Sequence, residues 1–111
     1  MVNSGMNTPS LDEFIDRRVV LDTPGSLLYI GRLVAWSEQG YWLADADVHD
    51  CRDGHASPEE YANTAHELEK TGARHINRRR VFVDRQAIVS ISALDDVVTD
   101  GLSDDQGPWM A

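Results

Sequence analysis

Apolar and polar positions divide the chain into two strand-rich blocks, Val19–Asp47 and Ile76–Leu94, with one helix-patterned stretch between them. In the first block Val19–Thr23 is β-branched and stops at Pro24-Gly25, a turn signal in which Pro presets φ and Gly accepts positive φ. Leu27–Trp36 reads as a long strand interrupted by Gly31, where a missing side chain permits a bulge or a sharp bend. Ser37–Gly40 is a polar turn, and Tyr41–Asp45 completes a three-strand meander. The second block holds two short β-branched runs, Val81–Val83 and Ile88–Ile91, joined tightly through Asp84-Arg85-Gln86. Three strands, a connection and two further strands predict a mainly β chain with short helices. The expected architecture is a five-stranded, strongly bent antiparallel sheet, a small open barrel.

Two helix starts are written locally. Ser10-Leu11-Asp12-Glu13 has the capping-box form, and a short helix over about residues 11–16 follows with Leu11, Phe14 and Ile15 on its apolar side. Ser57-Pro58-Glu59-Glu60 opens the second helix, with Ser57 as cap, Pro58 at the first helical position and Glu60 closing the box. Tyr61, Ala65 and Leu68 give it a narrow apolar stripe, Lys70 complements its C-terminal dipole, and Gly72 marks the stop. The expected organisation is a disordered polar N-terminus over 1–9, one domain over 10–94 with an insert at about 48–75, and an acidic flexible tail over 95–111.

Composition narrows the function classes. A chain of 111 residues fits one domain and buries roughly 65% of its unfolded surface, enough for a core without metal or disulfide staples. The single cysteine, Cys51, excludes an intrachain disulfide and fits a reducing compartment, and no apolar run is long enough to span a membrane. A soluble, cytoplasmic protein is expected. Net charge is −9, which argues against a general nucleic-acid binder. The charge is uneven, however: Arg74, Arg78, Arg79, Arg80 and Arg85 are half of all ten basic residues, and Asp95, Asp96, Asp100, Asp104 and Asp105 follow with no basic residue among them. His49, Cys51 and His55 are the residue types of a transition-metal site, but their spacing matches no standard zinc pattern, so a polar loop over 49–55 is expected and no cofactor is implied. No phosphate-binding glycine loop, serine elbow or Cys–His signature occurs, so no enzyme is expected. Trp36 and Trp42, flanking the turn at 37–40, are expected to pack in the barrel or against the insert helix, and His66 to lie on the surface.

The arrangement resembles the Sm-like family of ring-forming, RNA-associated proteins. Tyr29-Ile30-Gly31-Arg32-Leu33 and Leu43-Ala44-Asp45 stand where that family has its Gly-x-Leu strand and its acidic strand end, and Ile76-Asn77-Arg78-Arg79-Arg80-Val81 loosely matches its second signature. The resemblance covers about residues 10–93. It implies a homo-oligomeric ring in which the fourth strand of one subunit pairs with the fifth of its neighbour, an interface of Val81, Phe82, Val83, Ile88, Val89 and Ile91. The family's base-holding Asp and Asn positions carry Ser37 and Tyr41 here, and its Arg-Gly pair is Asn77-Arg78. Contact with single-stranded RNA is therefore expected through Arg78, Arg79 and Arg80, with Asn77 and Tyr41 beside them and Trp42 a further stacking candidate. The other expectation is a structural ring whose partners are proteins, and neither involves a membrane.

Overall fold

The protein is described here by a computed structural model covering residues 10–54 and 56–98. The strands are β1 (Arg18–Asp22), β2 (Leu27–Trp36), β3 (Gly40–Asp50), β4 (Arg78–Asp84) and β5 (Ser90–Ala93), and helix α1 (Pro58–Lys70) lies between β3 and β4. All pairings are antiparallel, in one sheet of order β4-β3-β2-β1-β5. The five-stranded bent open sheet of the sequence reading is therefore present. Residues 1–9, His55 and 99–111, which include the expected disordered N-terminus and most of the acidic tail, lie outside the described residues.

Two bulges bend the sheet, and both arise where β2 meets β3. Asp45 and Ala46 together oppose Gly31, and Val34 is an extra residue between the pairs Leu33↔Leu43 and Ala35↔Trp42. Asp45 takes a positive φ of 50° to make the first bulge. Gly31 is needed there because a Cβ would lie 3.1 Å from the Cβ of Ala46 and 3.2 Å from the Ala44 carbonyl. The bulge also lets β3 run on to Asp50, five residues past its expected end, so that Leu27–Ile30 pair with Asp47–Asp50. His49 thus sits in a strand rather than in the expected polar loop.

Both faces of the sheet are covered. Val19, Leu21, Leu33, Tyr41, Leu43 and Val83 form one core, closed by Leu11, Phe14 and Ile15 of the N-terminal turn. That turn is a 3-10 helix over Leu11–Phe14 with its Ser10–Glu13 capping box intact. On the opposite face Val20, Leu28 and Ile30 pack beneath Tyr61, Ala62 and Ala65 of α1. Each such fully buried aliphatic side chain contributes about 1.5–3 kcal/mol of transfer free energy. Leu68, the third residue of the predicted stripe, is exposed. α1 begins with the predicted Ser57–Glu60 capping box and Pro58, and Thr71 caps its end.

The packed chain continues beyond residue 94, where the acidic tail was expected to begin. Leu94 is buried, Leu94–Asp96 form a 3-10 turn, and Val97 joins the core under α1. His66, expected on the surface, is half-buried with Nδ1 2.8 Å from the Val97 carbonyl oxygen.

Candidate nucleic-acid interface

Strand β4 is one edge of the sheet and β5 is the other; among the described residues neither has a second strand partner. β4 starts at Arg78, three residues before the predicted Val81, so the triple arginine is strand rather than loop. Asn77 makes that possible. Its backbone N–H donates to the Ala46 carbonyl at 2.9 Å, its Nδ2 donates to the Val48 carbonyl at 2.9 Å, and its Oδ1 accepts from the Val48 N–H at 2.9 Å. The side-chain amide thereby replaces a ladder residue on β3. Asn77 thus helps hold the start of β4 while remaining exposed.

Arg78, Arg79 and Arg80 are exposed, and no carboxylate of the described residues stands within ion-pair distance of them. Arg78 Nη1 donates to the Asn77 carbonyl at 3.0 Å. The Arg80 guanidinium sits 4.8 Å from the ring centroid of Trp42. Trp42 faces its cross-strand partner Phe82, with centroids 5.2 Å apart and planes inclined at 58°. Both rings are open to solvent, Trp42 39% and Phe82 40% exposed. Three side chains from two paired strands therefore form one cationic and aromatic surface.

Tyr41 does not belong to it. It pairs with Val83 and is only 8% exposed within the first core, so of the two stacking candidates on β3 the exposed ring is that of Trp42. Strand alternation turns adjacent residues to opposite faces, and the sequence alone does not say which of the two faces inward. Neither tryptophan is buried as expected: Trp36 is 39% exposed and donates Nε1–H to Asp12 Oδ1 at 2.9 Å.

The expected interface residues divide by face. Val83 points into the core, while Val81, Ile88 and Ile91 are half-buried against it. Phe82 and Val89 are exposed. Strand pairing uses backbone groups, so inward side chains leave the two edges available for main-chain hydrogen bonds.

A polar cluster fastens α1 to the sheet. Arg18 Nε donates to Glu69 of α1 at 2.6 Å, and its Nη1 donates to the carbonyl of the bulged Asp45 at 2.6 Å. Asp47, 2% exposed, accepts from the Tyr61 hydroxyl, and His75 Nδ1 lies 3.1 Å from its other oxygen, off the line of a hydrogen bond. Burial first, then the Asp47 carboxylate, pushes the Tyr61 hydroxyl well above its usual pKa. His49 stacks on Tyr61 with centroids 3.8 Å apart, and burial raises the pKa of the Cys51 thiol. Among the described residues no three metal-ligating side chains converge. His55, the third residue of the candidate set with His49 and Cys51, lies outside the described residues.

The fold is Sm-like. No family model and no curated protein sequence matches the chain. Among solved structures it is similar to the Pyrococcus abyssii Sm protein in complex with a uridine heptamer, at a TM-score of 0.51 and 16% identity over 78% of this chain and 99% of that one. It is also similar to a chain of the NatC complex bound to CoA, at a TM-score of 0.51 and 18% identity over 82% of this chain and 91% of that one. At these identities the likeness concerns the fold alone.

Proposed function

We propose that the chain assembles edge to edge, β4 of one copy against β5 of the next, into a homo-oligomeric ring that binds single-stranded RNA through Arg78, Arg79 and Arg80 without catalysis. The observation that carries this reading is that the arginine run lies on an open edge strand with no carboxylate of the described residues opposed to it. An unpaired apolar edge invites further strand pairing, and a head-to-tail contact that closes yields a ring rather than a fibre. Closure repeats the arginines around the ring and concentrates positive potential on a chain whose net charge is −9. The uridine heptamer bound by a protein of similar fold supports RNA as the ligand class.

A second reading, a ring that serves only as a protein-interaction module, is favoured by the net acidity and by the burial of Tyr41 in the core. Native mass together with oligonucleotide titration separates the two. A mass of several subunits and saturable binding of labelled oligo-U are expected, with binding weakening as salt rises. Replacing all three arginines by alanine should lower the slope of log affinity against log salt by about 2 per subunit engaged. A monomer at micromolar concentration overturns the ring. A ring that binds no oligonucleotide at low salt leaves the protein-interaction reading.

A further inference from the structure

The geometry points to Trp42 and Phe82, with Arg80, as a stacking platform for the unpaired bases of the RNA, so that the strand crosses the exposed face of β3–β4 as well as meeting arginine charge. This inference rests on the reading of the protein as an RNA binder and assigns the part of the surface that contacts bases.

Charge alone does not account for the patch. A phosphate contact needs only an exposed guanidinium, yet Arg80 is laid 4.8 Å from the centroid of an indole that is itself 39% exposed. Cross-strand pairing fixes Trp42 beside Phe82, so both rings are rigidly presented by two hydrogen-bonded strands rather than by a loop. Exposing two large rings side by side on a soluble surface wastes apolar area unless something covers it. A base does so well, since its π-face stacks on an aromatic ring or on a guanidinium plane. Arg78 is two residues from Arg80 on the same face of β4, about 7 Å along the strand, and carries a second positive charge toward the same backbone. The nearest acidic residue along that face, Asp84, is occupied in capping the following turn, where its Oδ1 accepts from the Gln86 N–H at 2.8 Å. Positive charge flanking stacked aromatics favours a polyanion with planar bases over an apolar protein segment.

Stacking is tolerant of sequence but not of missing bases, and that is what distinguishes it from the arginine charge. The test titrates the full chain at low salt with labelled oligo-U and with an abasic oligomer of equal length. Wild type should bind oligo-U about tenfold more tightly than the abasic strand. Trp42→Leu should bring oligo-U down to the abasic level with its salt slope unchanged, and Trp42→Tyr should retain most of the difference. The Tyr variant, which keeps a ring at the position, guards against a folding defect in the Leu variant. Indole fluorescence should quench on binding in wild type and lose that quench in Trp42→Tyr. Equal affinity for the two oligomers, or an unchanged affinity in Trp42→Leu, overturns the platform while leaving the arginine reading intact. Failure of wild type to bind either strand overturns both. A change in self-association on Trp42→Leu with no change in RNA affinity assigns the patch to contact between copies instead.

Discussion

Arg18 is the residue whose removal tests the tie between α1 and the sheet most directly. Its guanidinium makes two charge-assisted hydrogen bonds of 2.6 Å, one to Glu69 of α1 and one to the carbonyl of the bulged Asp45. The two side chains of the pair are 11% and 19% exposed. Arg18→Met keeps most of the apolar stem and deletes the charge. Breaking a buried pair by removing one partner costs about 3–5 kcal/mol. Glu69 keeps some solvent and a longer contact of 3.6 Å to Arg74, which lowers that share to about 2 kcal/mol. The stranded Asp45 carbonyl adds about 1 kcal/mol. The expected loss is therefore about 3 kcal/mol, and with a urea slope of about 1.5 kcal/mol per molar the unfolding midpoint falls by about 2 M.

Equilibrium urea unfolding of the wild type, Arg18→Met, Glu69→Leu and the double variant measures both the loss and its origin. Because the penalty comes from an uncompensated buried charge, Arg18→Met with Glu69→Leu should be more stable than the sum of the single losses implies, by at least about 1 kcal/mol. A midpoint shift under about 0.5 M for Arg18→Met refutes the reasoning. Strict additivity in the double variant refutes it equally, since it would mean that the two groups do not interact.

Three further outcomes follow from single positions. Gly40→Ala should destabilise the chain by at least about 2 kcal/mol and weaken oligonucleotide binding, because the new Cβ would lie 2.2 Å from the Val83 carbonyl and 2.7 Å from Phe82 Cζ, so β4 has to move; urea midpoints and titrations check it. Leu94→Ala should cost about 3 kcal/mol in the same unfolding assay, as expected of a buried leucine and not of a residue opening a solvated tail. The raised pKa of Tyr61 fixes a sign at alkaline pH: the unfolded chain loses this proton near the ordinary value of 10.0 while the folded chain retains it. Stability from this group is whole below pH 10 and declines as pH rises beyond it. Tyr61→Phe should remove that part of the slope in midpoints measured between about pH 9 and 11.

Where signals are local, the sequence was enough. The limits of α1 were legible because Ser57, Pro58, Glu60 and Lys70 act within a single turn of their own position. β2 matched from Leu27 to Trp36 because one long apolar run needs no partner to be recognised. β3 was half missed because a bulge breaks its period: Leu43 and Ala44 are both buried, as are Ala46 and Asp47, and no alternation survives across Asp45. Polar residues at His49 and Asp50 then resemble a loop, although backbone pairing with Leu28 and Leu27 makes them strand. The start of β4 was hidden for a related reason, since three consecutive arginines become strand only through Asn77 and the extended half of β3. β5 was expected two residues early because Ile88 and Val89 are β-branched, yet Val89 joins the sheet only by donating its N–H to the Asp22 carbonyl at 2.8 Å.

The candidate site was legible in kind and not in detail. An exposed arginine run is visible in composition, but the choice between Tyr41 and Trp42 depends on which residue of β4 lies opposite, a property of register. The pairing Trp42↔Phe82 also moved Phe82 from an edge contact to a ring partner. The clue available beforehand was that Trp42 and Phe82 are the large aromatics nearest the middle of two neighbouring strands, where cross-strand pairs form.

The bulge at Asp45 links these features into one device. It turns the end of β3 so that Ala46 and Val48 receive Asn77, and Asn77 in turn delivers the arginines to the sheet edge. The same bulged carbonyl is held by Arg18, which is held by Glu69 of α1. Beyond α1 the chain returns past His75 beside Asp47, the carboxylate that Tyr61 also engages. The helix between β3 and β4 therefore ties the part of β3 that receives Asn77 while covering the face built on Val20, Leu28 and Ile30. α1 covers one face and the N-terminal turn the other, and among the described residues the sheet still presents its two edges and the exposed rings of Trp42 and Phe82. One of those edges and Phe82 belong to β4, so a change that displaces β4 displaces both.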